Sequence, residues 1–245
     1  GELKGLNAEA VKFGSDLGDR EIPWSGILGL RMNPELAELP ERKDQHRWTI
    51  LLADESWCLA RQLTPQPDGW TVQLTNQLEL KLSLEQIDWL APVSSHQTPL
   101  SRLPISEQSH KPLLGEATTA AIDWNILGLP LRGESPRDLP SMSPLGMGLA
   151  SGMRVTWQLE GRYDRLACHL GIDRSSDKSG DAIVRFLDGT RKMDEFQVRS
   201  GESPVRVAIP IEHCQSLTIE VEYGPQGDVG DVVDLLHPVL FSKSH

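Results

Sequence analysis

Three aspartates near the C-terminus have the chemistry of a metal or ligand site. They are Asp228, Asp231 and Asp234, and they lie in the stretch GDVGDVVDLLHPVL, residues 227–240. Carboxylate oxygens bind Ca²⁺ and accept hydrogen bonds from ligand hydroxyl groups. Aspartate also braces turns by accepting hydrogen bonds from backbone N–H groups. The stretch therefore indicates a calcium site, a ligand-binding lip or the turn before a last strand.

A calcium ion at Asp228, Asp231 and Asp234 would be structural, and we expect no other cofactor. The spacing of the three aspartates differs from the D-x-D-x-D-G order of an EF-hand loop, so the stretch is not a self-contained calcium loop. Calcium takes about six to eight oxygen ligands. A second acidic loop, over residues 173–181, could supply the missing ones.

A sugar site would need planar polar side chains for the hydroxyl groups and an aromatic ring for the apolar face. Side chains of these types lie in three segments: Asp173 and Arg174 after one strand, Asp231, Asp234 and His237 in the closing stretch, and Trp124 in the irregular segment AIDWNILG. The alternative role of the aspartates is to bind backbone amides and brace a long turn.

Catalytic motifs are missing from the sequence. It has no G-x-S-x-G, no H-E-x-x-H, no P-loop and no G-x-G-x-x-G that opens a helix. Two facing carboxylates would suit a glycoside hydrolase, but nothing singles out a pair among the 35 acidic residues. We therefore expect a protein that is not an enzyme.

Composition excludes several classes of partner. The chain has 245 residues, of which 38% are hydrophobic, and a net charge of −11. Acidic residues outnumber basic ones in both halves, so neither half offers a basic face to nucleic acid. No apolar run approaches the roughly 18 residues of a transmembrane helix. The cysteines lack metal-ligand spacing, and two separate buried thiols are favoured over a bridge between Cys168 and Cys214, which stays open.

Alternation with a period of two dominates the chain and predicts an all-β protein. Residues 93–115 are rich in proline and serine and lack this alternation, which predicts an extended linker. Residues 1–92 are interpreted as a region of small SH3-like or Sm-like barrels. This region has an internal repeat, with halves at about 1–33 and 48–92, because IPWSGILGL aligns without gaps on LSLEQIDWL.

Residues 116–245 have the pattern of a β-sandwich, in which short strands are joined by polar turns. Six blocks carry a resemblance here: LGMGLAS, RVTWQLEGRYDRLACHLGID, DAIVRFLDG, VRVAIPI, LTIEVEYG and the closing stretch. Together they resemble the NPCBM family, which is related to family 51 carbohydrate-binding modules. The resemblance implies a jelly-roll sandwich that is usually attached to secreted or surface proteins, and some members bind galactose-type sugars.

The closing stretch departs from the pattern of this family, whose last loop commonly reads D-H-A-D-W-A-D. The segment Asp231–His237 keeps both aspartates but has Val232 at the position of the histidine and Leu235 at that of the tryptophan. A second family histidine, in the run G-x-G-x-H, is replaced by Ala150. The aromatic ring and the imidazoles of the family pattern are therefore missing from these positions.

The order of the parts also resembles secreted planctomycete-type proteins, in which small barrels precede an NPCBM domain. We therefore expect a secreted or periplasmic protein whose signal peptide has been removed. Its expected work is non-catalytic recognition at the cell envelope, with a polysaccharide or glycan as ligand. The alternative is a scaffold that binds a protein partner and has a degenerate sugar site, and the third interpretation is a glycoside hydrolase.

Overall fold

The computed structural model describes residues 2–7, 9–15, 18–27, 48–54, 56–74, 78–92, 96–132, 142–176, 179–225 and 227–242. The chain divides into two compact units, residues 1–42 and residues 43–245. In the first unit the described strands are β1 (Glu2–Leu6), β2 (Ala10–Ser15) and β3 (Gly18–Pro23). They form an antiparallel meander with the order β1-β2-β3, followed by a 3-10 turn at Trp24–Gly26.

The second unit begins with a small five-stranded antiparallel sheet. Its strands are β4 (Trp48–Leu52), β5 (Trp57–Gln66), β6 (Gly69–Leu74), β7 (Glu79–Ser83) and β8 (Ile87–Pro92). The order is β7-β6-β5-β4-β8, so the last strand returns to the first after a 3-10 turn at Leu84–Gln86. Its own small core includes Ile50, Val72 and Leu82. We call this part the small barrel, and it is the second of the two predicted repeat halves.

The rest of the second unit is a sandwich of two antiparallel sheets. The strands of the front sheet are β9 (Gln97–Pro99), β11 (Ala121–Ile122), β12 (Gly146–Ala150), β14 (Tyr163–Ile172), β17 (Val205–Pro210) and β19 (Val232–Ser242). Those of the back sheet are β10 (Glu107–His110), β13 (Met153–Gln158), β15 (Asp181–Asp188), β16 (Arg191–Arg199) and β18 (Ser216–Tyr223). The front order is β11-β12-β19-β14-β17, with β9 also paired to β19, and the back order is β10-β13-β18-β15-β16.

The sandwich core forms from the side chains that alternation directs inward. On β14 these are Leu166, Cys168, Leu170 and Ile172. Trp157 on β13 is fully buried among them. Burying a large apolar side chain contributes about 1.5–3 kcal/mol, so this core holds the two sheets together. The all-β prediction, with a C-terminal sandwich, is confirmed, and the predicted barrel corresponds to a five-stranded antiparallel sheet.

The cysteines are separate thiols rather than a bridge. Cys58, Cys168 and Cys214 are all free. Burial raises the pKa of both Cys168 and Cys214 to about 12. Because the thiolate is the reactive form, these raised pKa values favour the unreactive thiol at neutral pH, and both side chains pack in the core.

The predicted linker over residues 93–115 is wrong where the structure describes it. Gln97–Pro99 pairs with β19, and Glu107–His110 pairs with β13. Between them, Leu100 is fully buried in the sandwich core at a 3-10 turn, Leu100–Arg102. Short strands at an edge tolerate nearby proline, because only one side needs backbone N–H donors. Low alternation therefore marked edge strands here, not a spacer.

Two other expectations concern the first half of the repeat and the membrane. Residues 28–33, which belong to the first predicted half, lie outside the described residues, so the internal repeat stays a prediction. Among the described residues, no helix has the length and apolar character to cross a membrane.

Candidate functional site

The three aspartates of the closing stretch each bind a different backbone amide. Leu114 N–H donates to Asp228 Oδ2 at 2.9 Å, and Asp181 N–H donates to Asp231 Oδ1 at 2.8 Å. Asp234 Oδ2 accepts from a third backbone N–H at 3.2 Å. Among the described residues, no three His, Cys, Asp or Glu side chains are grouped to hold a metal ion. The structure thus does not bring these aspartates together as a calcium site.

Asp173 and Asp234 form a buried carboxyl pair. They are 1% and 0% exposed, and the backbone N–H of Arg132 donates to both, at 3.2 Å each. Burial raises the pKa of Asp234 well above its usual value, and the hydrogen bond and charge of Asp173 raise it further. Burial also acts to raise the pKa of Asp173, but hydrogen bonds from Asp234 and Ser175 outweigh it and lower the pKa. The opposite directions of the two pKa shifts favour the proton of the pair on Asp234 and the charge on Asp173.

The Asp173–Asp234 pair binds the backbone N–H of Arg132 and so anchors residues 123–132, which cover the outer face of the front sheet. The buried Asn125 side chain accepts hydrogen bonds from the N–H groups of Leu127 and Leu129, both at 2.9 Å, and closes the segment into a turn. A Cβ at Gly148 would lie 2.4 Å from Asn125 Cα, and one at Gly146 would lie 2.3 Å from a backbone oxygen of β19. The two glycines of the G-M-G run thus serve close backbone packing.

The positions where the family pattern has histidine are neighbours in the front sheet. Ala150 on β12 lies directly opposite Val232 on β19. Val232 is buried, and Leu235, at the family's tryptophan position, is fully buried in the core. A site built from two imidazoles and an indole would need all three groups at this end of the sheet. Here apolar side chains occupy the positions, and the aspartates beside them brace the backbone.

Two further predicted ligand residues lie near the buried pair without completing a site. Arg174 follows Asp173, its side chain is exposed, and its backbone N–H donates to Arg132 O at 2.9 Å. Trp124 precedes Asn125 and is half-buried. Because Asp173 and Asp234 are buried, their carboxyl groups cannot join Arg174 and Trp124 in a site that is open to solvent.

His237 is carried away from the aspartates by a bulge in β19. The register against β14 shifts between Ala167 and His169, and His237 takes a φ of +49°. Its N–H donates to Leu145 O at 2.9 Å. Its ring meets the Trp89 ring of the small barrel edge to face, with centroids 4.9 Å apart and planes at 80°. Burial, aided by the charge of His169, lowers the pKa of His237 to about 4, so the imidazole is neutral.

A groove of about 560 Å³ opens beside this contact. Its lining includes Ala91 and Pro92 of the small barrel and Gln97, His169, Arg206 and Phe241 of the front sheet. This volume lies within the roughly 300–1,000 Å³ of typical ligand sites. We call it the barrel–sandwich groove. Alternation on β14 correctly predicts that His169 points away from the core, but sequence offers no way to see that the small barrel packs beside it.

Arg206 is the arginine among the described residues that line the groove. Arg206 belongs to none of the ion pairs of the described residues, whereas Arg154, Arg185, Arg191 and Arg199 all pair with acidic side chains. No Asp or Glu is among the described residues that line the groove. The charged side chain of the groove lining is thus basic, whereas the chain as a whole has a net charge of −11.

These features define a two-sheet β-sandwich with a ligand-sized groove beside it. Residues 98–241 match the NPCBM/NEW2 domain family, and the chain belongs to that family. The match begins 18 residues before the sandwich boundary expected at residue 116, which agrees with the pairing of β10 into the back sheet. A search of curated proteins found no match.

Solved structures of family 51 carbohydrate-binding modules share the fold. The Clostridium perfringens ZmpB module CBM51-2 with INT domains, in complex with GlcNAc, has a TM-score of 0.54 and 15% identity, covering 82% of this chain and 39% of that one. A ZmpB structure with the M60 catalytic domain has a TM-score of 0.55 and 17% identity, covering 71% of this chain and 18% of that one. The Clostridium perfringens GH95 module in complex with methyl-galactose has a TM-score of 0.50 and 19% identity, covering 59% of this chain and 99% of that one. This chain thus matches only part of the two longer ZmpB chains.

Proposed function

We propose that this protein is a non-catalytic module that binds a glycan in the barrel–sandwich groove. The observation that carries the proposal is the groove itself, which is ligand-sized and combines planar polar side chains with apolar walls. Arg206, His169 and Gln97 can bond hydroxyl groups, while Phe241 and Pro92 can contact the C–H face of a sugar ring. Membership of a carbohydrate-binding family supports the choice of ligand class.

The aspartates of the closing stretch are a weaker candidate for the sugar site. Asp231 and Asp234 are 4% and 0% exposed. A sugar hydroxyl could reach either carboxyl group only if the protein around it opened. We therefore propose the groove that His237 borders, rather than the predicted site at Asp231 and Asp234, as the place where the ligand binds.

Glycoside hydrolysis finds little support in the same geometry. It needs two accessible carboxyl groups roughly 5–10 Å apart that flank a sugar. The paired carboxyls, Asp173 and Asp234, are both sealed in the protein. The groove contributes no acidic residue from the described chain.

A protein partner is the second candidate, and exposed apolar side chains favour it. Trp57, Leu78 and Leu84 of the small barrel are exposed, and so is Leu114 of the sandwich. Scattered exposed side chains are ordinary on soluble proteins, however, and only a contiguous patch marks an interface. Absence of glycan binding would favour this second function.

The proposal extends to location, since we expect the module to act outside the cytoplasm, as a secreted or periplasmic protein at the cell envelope. Family resemblance supports this location. Fractionation of cells that express the native gene would test it, with a cytoplasmic and an envelope marker followed in parallel. Recovery of the protein with the cytoplasmic marker alone would overturn the expectation.

Glycan binding can be tested on an array of plant, bacterial and animal glycans. The experiment compares the wild type with Ala167→Trp, which places an indole in the groove, and Ala117→Trp, which adds the same ring at an exposed position. We expect binding by the wild type and Ala117→Trp and its loss in Ala167→Trp. Running each array with Ca²⁺ and with EDTA separates a metal-dependent site from the groove. Equal binding by all three proteins would place the sugar elsewhere.

A further inference from the structure

We propose that the barrel–sandwich groove selects an acidic saccharide, one whose carboxylate or sulfate group binds at Arg206 and His169. This inference rests on the proposed function and adds the charge of the ligand. It starts from the groove's charge, which is opposite to that of the chain as a whole.

Arg206 is available to an anion because no carboxylate of the described residues takes up its donors, in contrast to the arginines that form ion pairs. An arginine that already forks onto a carboxylate has its donors occupied, as Arg185 does between Glu195 and Glu222. Arg206 has no such partner among the described residues and lies at the groove lining. Guanidinium donors match carboxylate and sulfate oxygens in a planar, two-bond geometry. An acidic ligand would complete this geometry.

His169 stands beside Arg206 in the sheet and adds a second donor. The two residues are directly opposed on β14 and β17. Cross-strand partners have Cβ atoms about 4.5–5.5 Å apart, so both side chains can reach one anionic group. Burial and the charge of Arg206 lower the pKa of His169, and an anion placed between them would relieve that repulsion.

The rest of the groove suits the body of a sugar chain. Gln97 on β9 is level with Phe241, Arg165 and Pro210, whereas Arg206 lies four residues further along β17. Gln97 and Arg206 are therefore separated by roughly 14 Å across the sheet and about 13 Å along the strands. Arg165 lies over one face of the Phe241 ring, with its Cζ atom 4.3 Å from the ring centroid. An anionic residue at Arg206 can thus continue toward an amide that bonds hydroxyl groups. This arrangement favours an oligosaccharide over an isolated inorganic ion.

The test uses ligands matched in all but charge. Titration calorimetry compares oligogalacturonate with neutral oligogalactose of equal length, and a sulfated galactan separates sulfate from carboxylate. We expect at least tenfold tighter binding of one acidic ligand than of the neutral one, weakening as salt rises. Arg206→Gln should lose at least tenfold in affinity for the acidic ligand only. The control Arg191→Gln makes the same charge change at an exposed turn and should bind as the wild type does.

Each outcome decides a different claim. Equal affinity for acidic and neutral chains would overturn the acidic preference and leave glycan binding intact. Tight acidic binding that Arg206→Gln leaves unchanged would also overturn the inference, because the anion would then lie elsewhere. Failure to bind any glycan, on the array as well as in solution, would remove the proposed function itself.

Discussion

The Trp89 ring of the small barrel and the His237 ring of the sandwich meet edge to face, with centroids 4.9 Å apart. This contact joins two parts of the second unit whose cores are otherwise distinct. It also buries the imidazole and forms one border of the groove. The contact helps to explain why the His237 imidazole is neutral at pH 7. The sequence places His237 near Asp231 and Asp234 and therefore gives no sign that it packs against Trp89.

Trp89→Ala should loosen this contact and return His237 toward ordinary behaviour. Loss of a partly buried indole should lower the free energy of unfolding by about 1–3 kcal/mol. Because burial is the main cause of the low pKa, the pKa of His237 should rise from about 4 toward its usual range. An NMR titration of the histidine resonances measures this. Trp89→Phe keeps an aromatic edge and should keep the low pKa; an unchanged pKa in Trp89→Ala would contradict the assignment.

His237 should make the fold sensitive to mild acid. Its pKa is about 4 in the folded state and near 6.5 when unfolded, so the unfolded chain binds more protons between these values. Stability is therefore lost as pH falls from about 6.5 toward 4, by up to about 3 kcal/mol. His237→Asn, which suits the positive φ, should flatten this part of the profile. Denaturant unfolding at pH 4, 5, 6 and 7 compares the slopes, and identical slopes would exclude this role.

The Asp173–Asp234 pair should give stability the opposite pH dependence at Asp234. Its folded pKa is raised, so its contribution is complete below the unfolded pKa of about 4 and is lost as pH rises through the folded value. Asp234→Asn keeps an N–H donor for Asp173 without an ionisable proton. Its stability relative to the wild type should therefore increase with pH, as measured by urea unfolding. Asp228→Asn, at a half-exposed position, is the control and should show no such trend.

Asp173→Asn should destabilise the protein because it replaces one of the two acceptor oxygens of Asp173 with an NH2 group, while Arg132 N–H and Ser175 N–H donate to different oxygens. Asp173 has a lowered pKa, so its contribution is present above the unfolded value and is lost as pH falls through the folded one. Removing a buried acceptor costs about 1–3 kcal/mol, and we expect that loss at pH 7. The difference from the wild type should shrink in acid. A constant difference across the pH range would show that packing alone accounts for the loss.

Particular residues show which features of the fold and of the site the sequence predicts. Alternation correctly directs Leu166 and Cys168 inward and His169 outward, because a strand allows only two faces. It does not reveal that Asp231 bonds the amide of Asp181, since that contact joins residues 50 positions apart. The groove is less accessible still, because its walls come from separate strands and from the small barrel. Local pattern thus defined the sandwich, while the site depended on how its parts pack.

The glycines of the G-M-G run offer a last test, of whether this motif is structural. Gly148→Ala would place a Cβ 2.4 Å from Asn125 Cα, a backbone contact that cannot yield easily. We expect a loss of about 1–3 kcal/mol from overpacking, measured by thermal and urea unfolding. Gly171→Ala, on the same sheet, meets Pro204 only at 3.4 Å and is the matched control, with a far smaller effect expected. If Gly148→Ala were as stable as the control but bound glycans differently, the G-M-G run would belong to a ligand site. The structural role given to the close contact between Gly148 and Asn125 would then be wrong.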